Sequence, residues 1–256
     1  MQIILEPKVH LVSTQQFHSN PEFPTPPDGD DYTKIGAFAA KGCYDSFSDT
    51  GRSNTENQIG VREHRHGSVF EHLVIGLYIV GVTRALTLES NRHRHFAVSQ
   101  RSTRYTAEED AAIVLDPYFT TLYTKKDRTV AEDDLLENFL QEAEMAFATY
   151  SETVERLIRI NPLELSGFDL RKWARGKARN ILPHALETRV MYTGNVRAWR
   201  WFIEARSDKH AEPEIRRLAD AVLVKLREVC PLYFDDFFVQ EVYDGIPVWT
   251  TTYLKV

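Results

Sequence analysis

The sequence predicts a fold that mixes strands with helices, and three stretches carry that expectation. Residues 73–82 are a run of Leu, Val, Ile and Tyr broken by Gly76 and Gly81, which suits a strand covered on both faces. Leu136, Phe139, Leu140, Ala143, Phe147, Tyr150, Val154 and Leu157 recur at helical spacing, the stripe of a long helix with one buried face. Residues 238–243 and 246–253 are β-prone runs flanking Asp244-Gly245, a pair that favours a tight hairpin.

The remaining elements follow in order. Residues 9–14 read as a first strand. Residues 20–30 hold Pro21, Pro24, Pro26 and Pro27 with Asp28-Gly29-Asp30 and read as a loop. Residues 35–44 read as a short helix, with Cys43 packed behind its apolar run. Residues 45–60 are rich in Ser, Asn, Asp and Gly and read as a surface loop. Residues 84–95 turn helical. Asp133 and Asp134 begin the long helix, where acids favour the N-terminus, and Pro162 follows it. Residues 168–180 suit a further short helix. From Asn195 the pattern is helical again, and Asn195, Trp199, Phe202 and Arg206 fall on one face at 100° per residue, with Arg197 opposite. Pro213 opens a last helix whose buried stripe is Ile215, Leu218, Ala219, Val222, Leu226 and Val229; Pro231 stops it.

A chain of 256 residues, 43% hydrophobic and 27% charged, has the make-up of one large globular domain. No run of 18 apolar residues suggests a membrane span, and the first residues do not read as a signal peptide. Two cysteines, Cys43 and Cys230, make no disulfide framework and no cysteine metal site. A cytoplasmic protein is the simplest expectation.

The functional signal is a charge reversal. The chain carries a net −6, yet residues 84–105 hold five arginines against one acid, Glu89, a local +4. A focused positive site in an acidic protein suits a small anion better than a polyanion, so a nucleic-acid partner is not expected. Arginine forks, Ser and Thr hydroxyls and histidine are the groups that bind phosphates and carboxylates. No Gly-rich dinucleotide turn and no Walker A sequence is present. His66, Glu71 and His72 lack the spacing of a zinc helix, and no metal site is expected. Ser102 lacks the adjacent base a nucleophile needs.

Spacing separates a ligand site from a solvated basic turn. Arg92-His93-Arg94 is followed by seven residues and then Ser102, and the stretch closes with Arg104-Tyr105. Upstream stand His66-Gly67-Ser68-Val69-Phe70-Glu71-His72 and Gly81-Val82-Thr83-Arg84. Downstream stand Ala178-Arg179-Asn180-Ile181-Leu182-Pro183, Glu187-Thr188-Arg189, Thr193-Gly194-Asn195-Val196-Arg197-Ala198-Trp199-Arg200, Arg206 and Glu214-Ile215-Arg216. In this order the blocks resemble those of the flavin-dependent thymidylate synthases, and the resemblance covers nearly the whole chain.

The resemblance implies an α+β fold with a central, mostly antiparallel sheet and long helices. It implies a single domain over 1–256, with signature blocks at 66–105 and 178–216, assembled as a homotetramer with active sites shared between subunits. It implies reductive methylation of dUMP to dTMP, with 5,10-methylenetetrahydrofolate as carbon donor and FAD, reduced by NADPH, as hydride donor. Carried over by position, the FAD set is Ser68, Arg92, His93, Arg94, Gln100, Asn195, Arg197 and Trp201. The nucleotide set is Glu89, Arg92, Gln100, Ser102, Thr103, Arg104, Arg179 and Arg206, with Arg104 and Arg179 on the 5′-phosphate and Arg206 as the catalytic group beside the uracil. Neither cysteine lies in a block, which fits the flavin route rather than one needing an enzyme thiolate.

Several positions depart from the family pattern. Ala97 stands where many members have Ser, Ser99-Gln100 where many have Asn-Glu, and Ser90-Asn91 replace a usually apolar pair. Trp201 stands near the flavin where His or Asn is usual. These leave room for a related pyrimidine-nucleotide hydroxymethylase, or for a binding protein that keeps the fold.

Overall fold

A computed structural model describes residues 1–108 and 111–256. The elements run β1 (Gln2–Ile4), β2 (Lys8–Ser13), α1 (Asp31–Gly42), α2 (Asn54–Glu63), a 3-10 turn (Gly67–His72), β3 (Val74–Thr83), α3 (Arg84–Ser90) and β4 (Ala97–Gln100). There follow β5 (Ala112–Val114), α4 (Pro117–Thr124), α5 (Val130–Ile160), α6 (Gly167–Ala178), β6 (Glu187–Asn195), α7 (Val196–Arg206), α8 (Pro213–Val229), β7 (Phe238–Tyr243) and β8 (Ile246–Thr250). A four-stranded sheet has the order β2-β3-β6-β4. The fold is therefore mixed helix and sheet.

The chain divides into two compact units. One comprises residues 1–7, 80–89 and 99–190; the other comprises residues 8–79, 90–98 and 191–256. Strands β3, β4 and β6 change unit part-way along their length.

In the first unit β1 pairs in parallel with β5, Ile3 opposite Ile113. Ile113, Leu115 and Leu186 pack with Ala143 and Phe147 of α5. A second cluster joins Tyr150 and Val154 of α5 to Ala174 and Ala178 of α6. The apolar stripe of α5 faces the core as its spacing predicts: Leu136, Ala143, Phe147, Tyr150 and Val154 are buried. Thr129 and Glu132 cap its start reciprocally, and Asn161 ends it in the left-handed conformation at φ 36°, each satisfying end groups the helix leaves unpaired.

In the second unit the Asn195 side chain accepts from the Ala198 N–H at 2.8 Å, so the residue that closes β6 also starts α7. Helix α7 buries Trp199 and Phe202, while α8 buries Ile215, Leu218, Ala219, Val222 and Leu226. Strands β7 and β8 form the expected antiparallel hairpin, Tyr243 opposite Ile246, and Asp244 and Gly245 take φ of 53° and 71°.

The structure corrects four expectations. Residues 54–63 are helix α2 rather than loop, because Ser53 and Glu56 form a capping box. Helix α3 stops at Ser90, short of residue 95. The second hairpin strand ends at Thr250 rather than 253. Cys43 is exposed, since it caps α1 beyond the last buried turn. The strands β1, β4, β5 and β6 and helix α4 are additions to the sequence reading.

One close approach is decisive. A Cβ on Gly194 would lie 2.3 Å from the ring of Phe96, and Phe96 packs tilted against Trp199 at 4.4 Å and edge-on against Tyr192 at 5.7 Å. Gly194→Ala forces this ring cluster apart, and overpacking of this kind costs about 1–3 kcal/mol. The expected result is a fall in melting temperature of about 2–4 °C for each kcal/mol; a variant melting with the wild type contradicts the packing described.

Candidate functional site

In the second unit the two predicted blocks meet. The Arg206 Nε–H donates to His93 Nε2 at 2.8 Å, so His93 is neutral with its lone pair on that nitrogen. Burial, and then the charge of Arg206, push the imidazole down to about 4. His93 also packs edge-on against Phe202 at 5.1 Å. The arginine is thus hydrogen-bonded to a buried, uncharged ring. Its place on the same face of α7 as Trp199 and Phe202 is the one the helical wheel predicts.

Asn195, Arg197 and Trp201 line a cavity of about 470 Å³ together with Glu71, His95, Ala198, Lys255 and Val256. Arg197 Nη1 donates to Glu71 Oε1 at 2.6 Å. The Trp201 indole is 46% exposed, an aromatic face available for stacking. Ser68 is exposed on the 3-10 turn that carries Glu71. Arg92 and Arg94 are exposed on the turn that carries His95. The polar departure at 90–91 also finds its reason: buried Ser90 is hydrogen-bonded to the Tyr192 hydroxyl at 2.5 Å, and that hydroxyl donates to Asn91 Oδ1 at 3.2 Å.

The first unit gathers most of the residues expected to bind nucleotide. Thr103 and Arg179 line a cavity of about 360 Å³ with Arg84, Asn180 and His184. Arg84 is held below the ordinary guanidinium range by burial and then by the like charge of Arg179, against the attraction of Glu108. Two arginines repelling across one cavity favour an anion between them. Arg104 is exposed and runs along Gly176 of α6, the nearest approach to a Cβ there being 3.5 Å. Gln100 donates to Thr87 at 3.0 Å and Thr188 at 3.3 Å, which fixes its amide. Ser102 accepts from the Arg104 N–H at 3.4 Å. Glu89 is half-buried near the end of α3.

Beneath these residues Arg101 bridges two buried carboxylates, Glu108 at 2.9 Å and Glu187 at 3.2 Å. Glu108 is pushed up to about 7 by burial, with Arg101 opposing and Glu187 adding to the shift. Its Oε1 has no hydrogen-bond partner among the described residues.

Arg84, His95 and Lys255 line these cavities and Glu108 pairs with Arg101, and the sequence reading gave none of the four a role. Arg84 had a signal, since it closes the Gly-Val-Thr-Arg block; Lys255 had none. Among the described residues no group of three or more His, Cys, Asp or Glu side chains is placed to hold a metal, and no helix is long and apolar enough to cross a membrane.

A model of the family described as thymidylate synthase complementing protein matches residues 29–232. The chain is 39% identical over 250 residues to a flavin-dependent thymidylate synthase of Mycobacterium tuberculosis (strain H37Rv), covering 95% of both chains. It is 38% identical to the protein of that name from Mycolicibacterium vanbaalenii and 37% identical to that from Mycobacterium avium, again over 95% of both chains.

The Glu108 carboxyl sets a pH dependence. Between its ordinary 4.5 and about 7 the folded state holds a proton that the unfolded state releases, so stability is drained as pH rises through that window. Glu108→Gln removes the effect. The difference in melting temperature, variant minus wild type, is expected to grow more positive from pH 5 to pH 8; a difference that shrinks with rising pH is the contrary result.

Proposed function

Because the chain belongs to the thymidylate synthase complementing protein family, we propose that it is a cytoplasmic flavin-dependent thymidylate synthase. It converts dUMP to dTMP, with 5,10-methylenetetrahydrofolate giving the carbon and NADPH-reduced FAD the hydride, and releases tetrahydrofolate. The observation that carries the reading is the Arg206–His93 hydrogen bond at 2.8 Å. It joins the Arg-His-Arg block to the far end of the Asn-x-Arg helix, a meeting that a solvated basic turn does not call for.

The cavity residues fit a flavin. An exposed indole suits a flat ring system, and Asn195, Arg197 and His95 beside it supply donors for an anionic linker. Ser68, Arg92, His93 and Arg94 are the further members of the cofactor set in the second unit, and Gln100 is its member in the first unit. When bound, reduced flavin supplies the hydride.

The chain's own residues bind and polarise. Thr103, Arg104 and Arg179 take the nucleotide phosphate, and Arg84 joins them from the same cavity. Each charge-assisted bond contributes roughly 1.5–3 kcal/mol net. Glu89, Gln100 and Ser102 are the other members of the nucleotide set in the first unit; Arg92 and Arg206 are the members that the second unit carries. A homotetramer with shared active sites is the assembly this reading implies. Arg206 holds a fixed positive charge toward the pyrimidine and stabilises the anion as N3 loses its proton, a preorganised electrostatic role. Neutral His93 keeps that guanidinium in one orientation. The cysteine chemistry agrees: burial pushes the Cys230 thiol far up, which makes it a poor nucleophile.

The test is mass analysis of the nucleotide formed anaerobically from dUMP, methylenetetrahydrofolate, FAD and NADPH. A gain of one methyl supports the reading; a hydroxymethyl product, or none, overturns it. Arg206→Ala is expected to keep the fold and bind FAD while its turnover drops below about a tenth of wild type. Turnover above that level contradicts the role given to Arg206.

A further inference from the structure

After β8 the chain does not trail away. Thr251 Oγ1 hydrogen-bonds Asp236 Oδ2. Arg65 Nη2 donates to the Thr252 carbonyl and Arg200 Nη2 to the Tyr253 carbonyl, each at 3.4 Å. The Lys255 N–H donates to both carboxylate oxygens of Glu204, at 3.2 and 3.1 Å. This holds Lys255 in the left-handed region at φ 63°, a conformation that costs a side-chain-bearing residue energy unless its surroundings impose it. Val256 is 1% exposed. A Cβ on Gly67 would lie 2.8 Å from the Val256 carbonyl carbon and 3.1 Å from Arg197 Nε, so glycine at 67 is what lets the segment close against the 3-10 turn.

The result is a second wall for the cavity of Asn195, Arg197 and Trp201, built from Lys255 and Val256. This wall lies outside residues 29–232, the part matched by the family. Its charge also matters. Arg197 is already engaged by Glu71 in a direct pair at 2.6 Å, whereas the Lys255 side chain is exposed and its charge is felt by the Glu204 carboxylate at longer range.

We propose that residues 251–256 are an integral wall of the flavin cavity and that Lys255 is a further cofactor-binding residue, its ammonium taking an anionic phosphate oxygen of the bound dinucleotide. The proposal rests on the reading that this cavity holds FAD. The backbone of Lys255 is fixed by Glu204, so its charge is delivered from an ordered anchor. Arg197 gives up a direct ion pair to reach an anion; Lys255 gives up only a longer-range attraction to Glu204.

The experiment compares FAD and riboflavin, which lacks phosphate, by quenching of flavin fluorescence on the full chain at low salt. Variants are Lys255→Glu, Lys255→Met and, as a reference for the ring site, Trp201→Ala. Both substituted side chains are solvent-exposed, and unchanged circular dichroism and melting verify the fold. Expected is a loss of FAD affinity of about tenfold for Lys255→Glu, in keeping with one charge-assisted bond. Lys255→Met loses less, riboflavin binding is unchanged in both, and Trp201→Ala weakens both ligands. If the Lys255 variants bind FAD like wild type while Trp201→Ala weakens it, the role of Lys255 falls and the flavin cavity stands. If wild type does not bind FAD, or Trp201→Ala leaves binding unaltered, the cavity assignment falls and this inference with it.

Discussion

Arg200 sits inside α7 with none of its side chain exposed, and its charge must be met there. Asp236 answers with two bonds at 2.8 Å, and the Tyr233 carbonyl accepts a third at 2.6 Å. A buried ion pair adds little when complete, but losing one partner leaves a bare charge at a cost of about 3–5 kcal/mol. That asymmetry ties segments far apart in sequence to one geometry. Asp236 also holds Arg62 of α2 at 3.4 Å and Thr251 of the terminal segment. Helix α7 is thereby fixed in rotation, with Arg206 and Trp201 on the faces where the site reading needs them. Arg216 has the same part in α8, where its guanidinium donates to the Tyr243 and Ile246 carbonyls at the hairpin turn.

The arginines of this chain divide by what surrounds them. Arg101, Arg200 and Arg216 are matched by carboxylates or carbonyls and hold structure. Arg84 and Arg179 face one cavity and repel each other, and Arg206 faces a neutral histidine. Positive charge is matched inside the protein at the first group and gathered at one cavity by Arg84 and Arg179. An overall acidic chain can therefore keep local sites that attract small anions, since screening confines the excess to short range.

What was legible in the sequence follows from where periodicity reports burial. Helices α5, α7 and α8 and strand β3 are long and face a core, so their apolar spacing disclosed them. The Asp244-Gly245 turn disclosed the hairpin through its backbone preference. Helix α2 was hidden because its interior is polar, although Ser53 and Glu56 were a usable signal. Strands β1 and β5 are short and depend on each other across more than a hundred residues, which no local window records. In the site, the helical wheel of α7 and the order of the blocks pointed to Arg206 and His93. Glu108 was invisible because its burial comes from tertiary packing, and Lys255 because an isolated basic residue has no pattern at all.

The capping position of Cys43 has a chemical consequence. Its thiol stands at the surface, while Cys230 is sealed in the core with its ionisation suppressed. The two cannot exchange roles without unfolding. Thiol oxidation of the native chain therefore acts on Cys43, and a disulfide formed there joins two molecules instead of closing a loop within one. The same asymmetry gives a single native attachment point for a thiol-reactive probe, on a helix end removed in sequence from every block of the site.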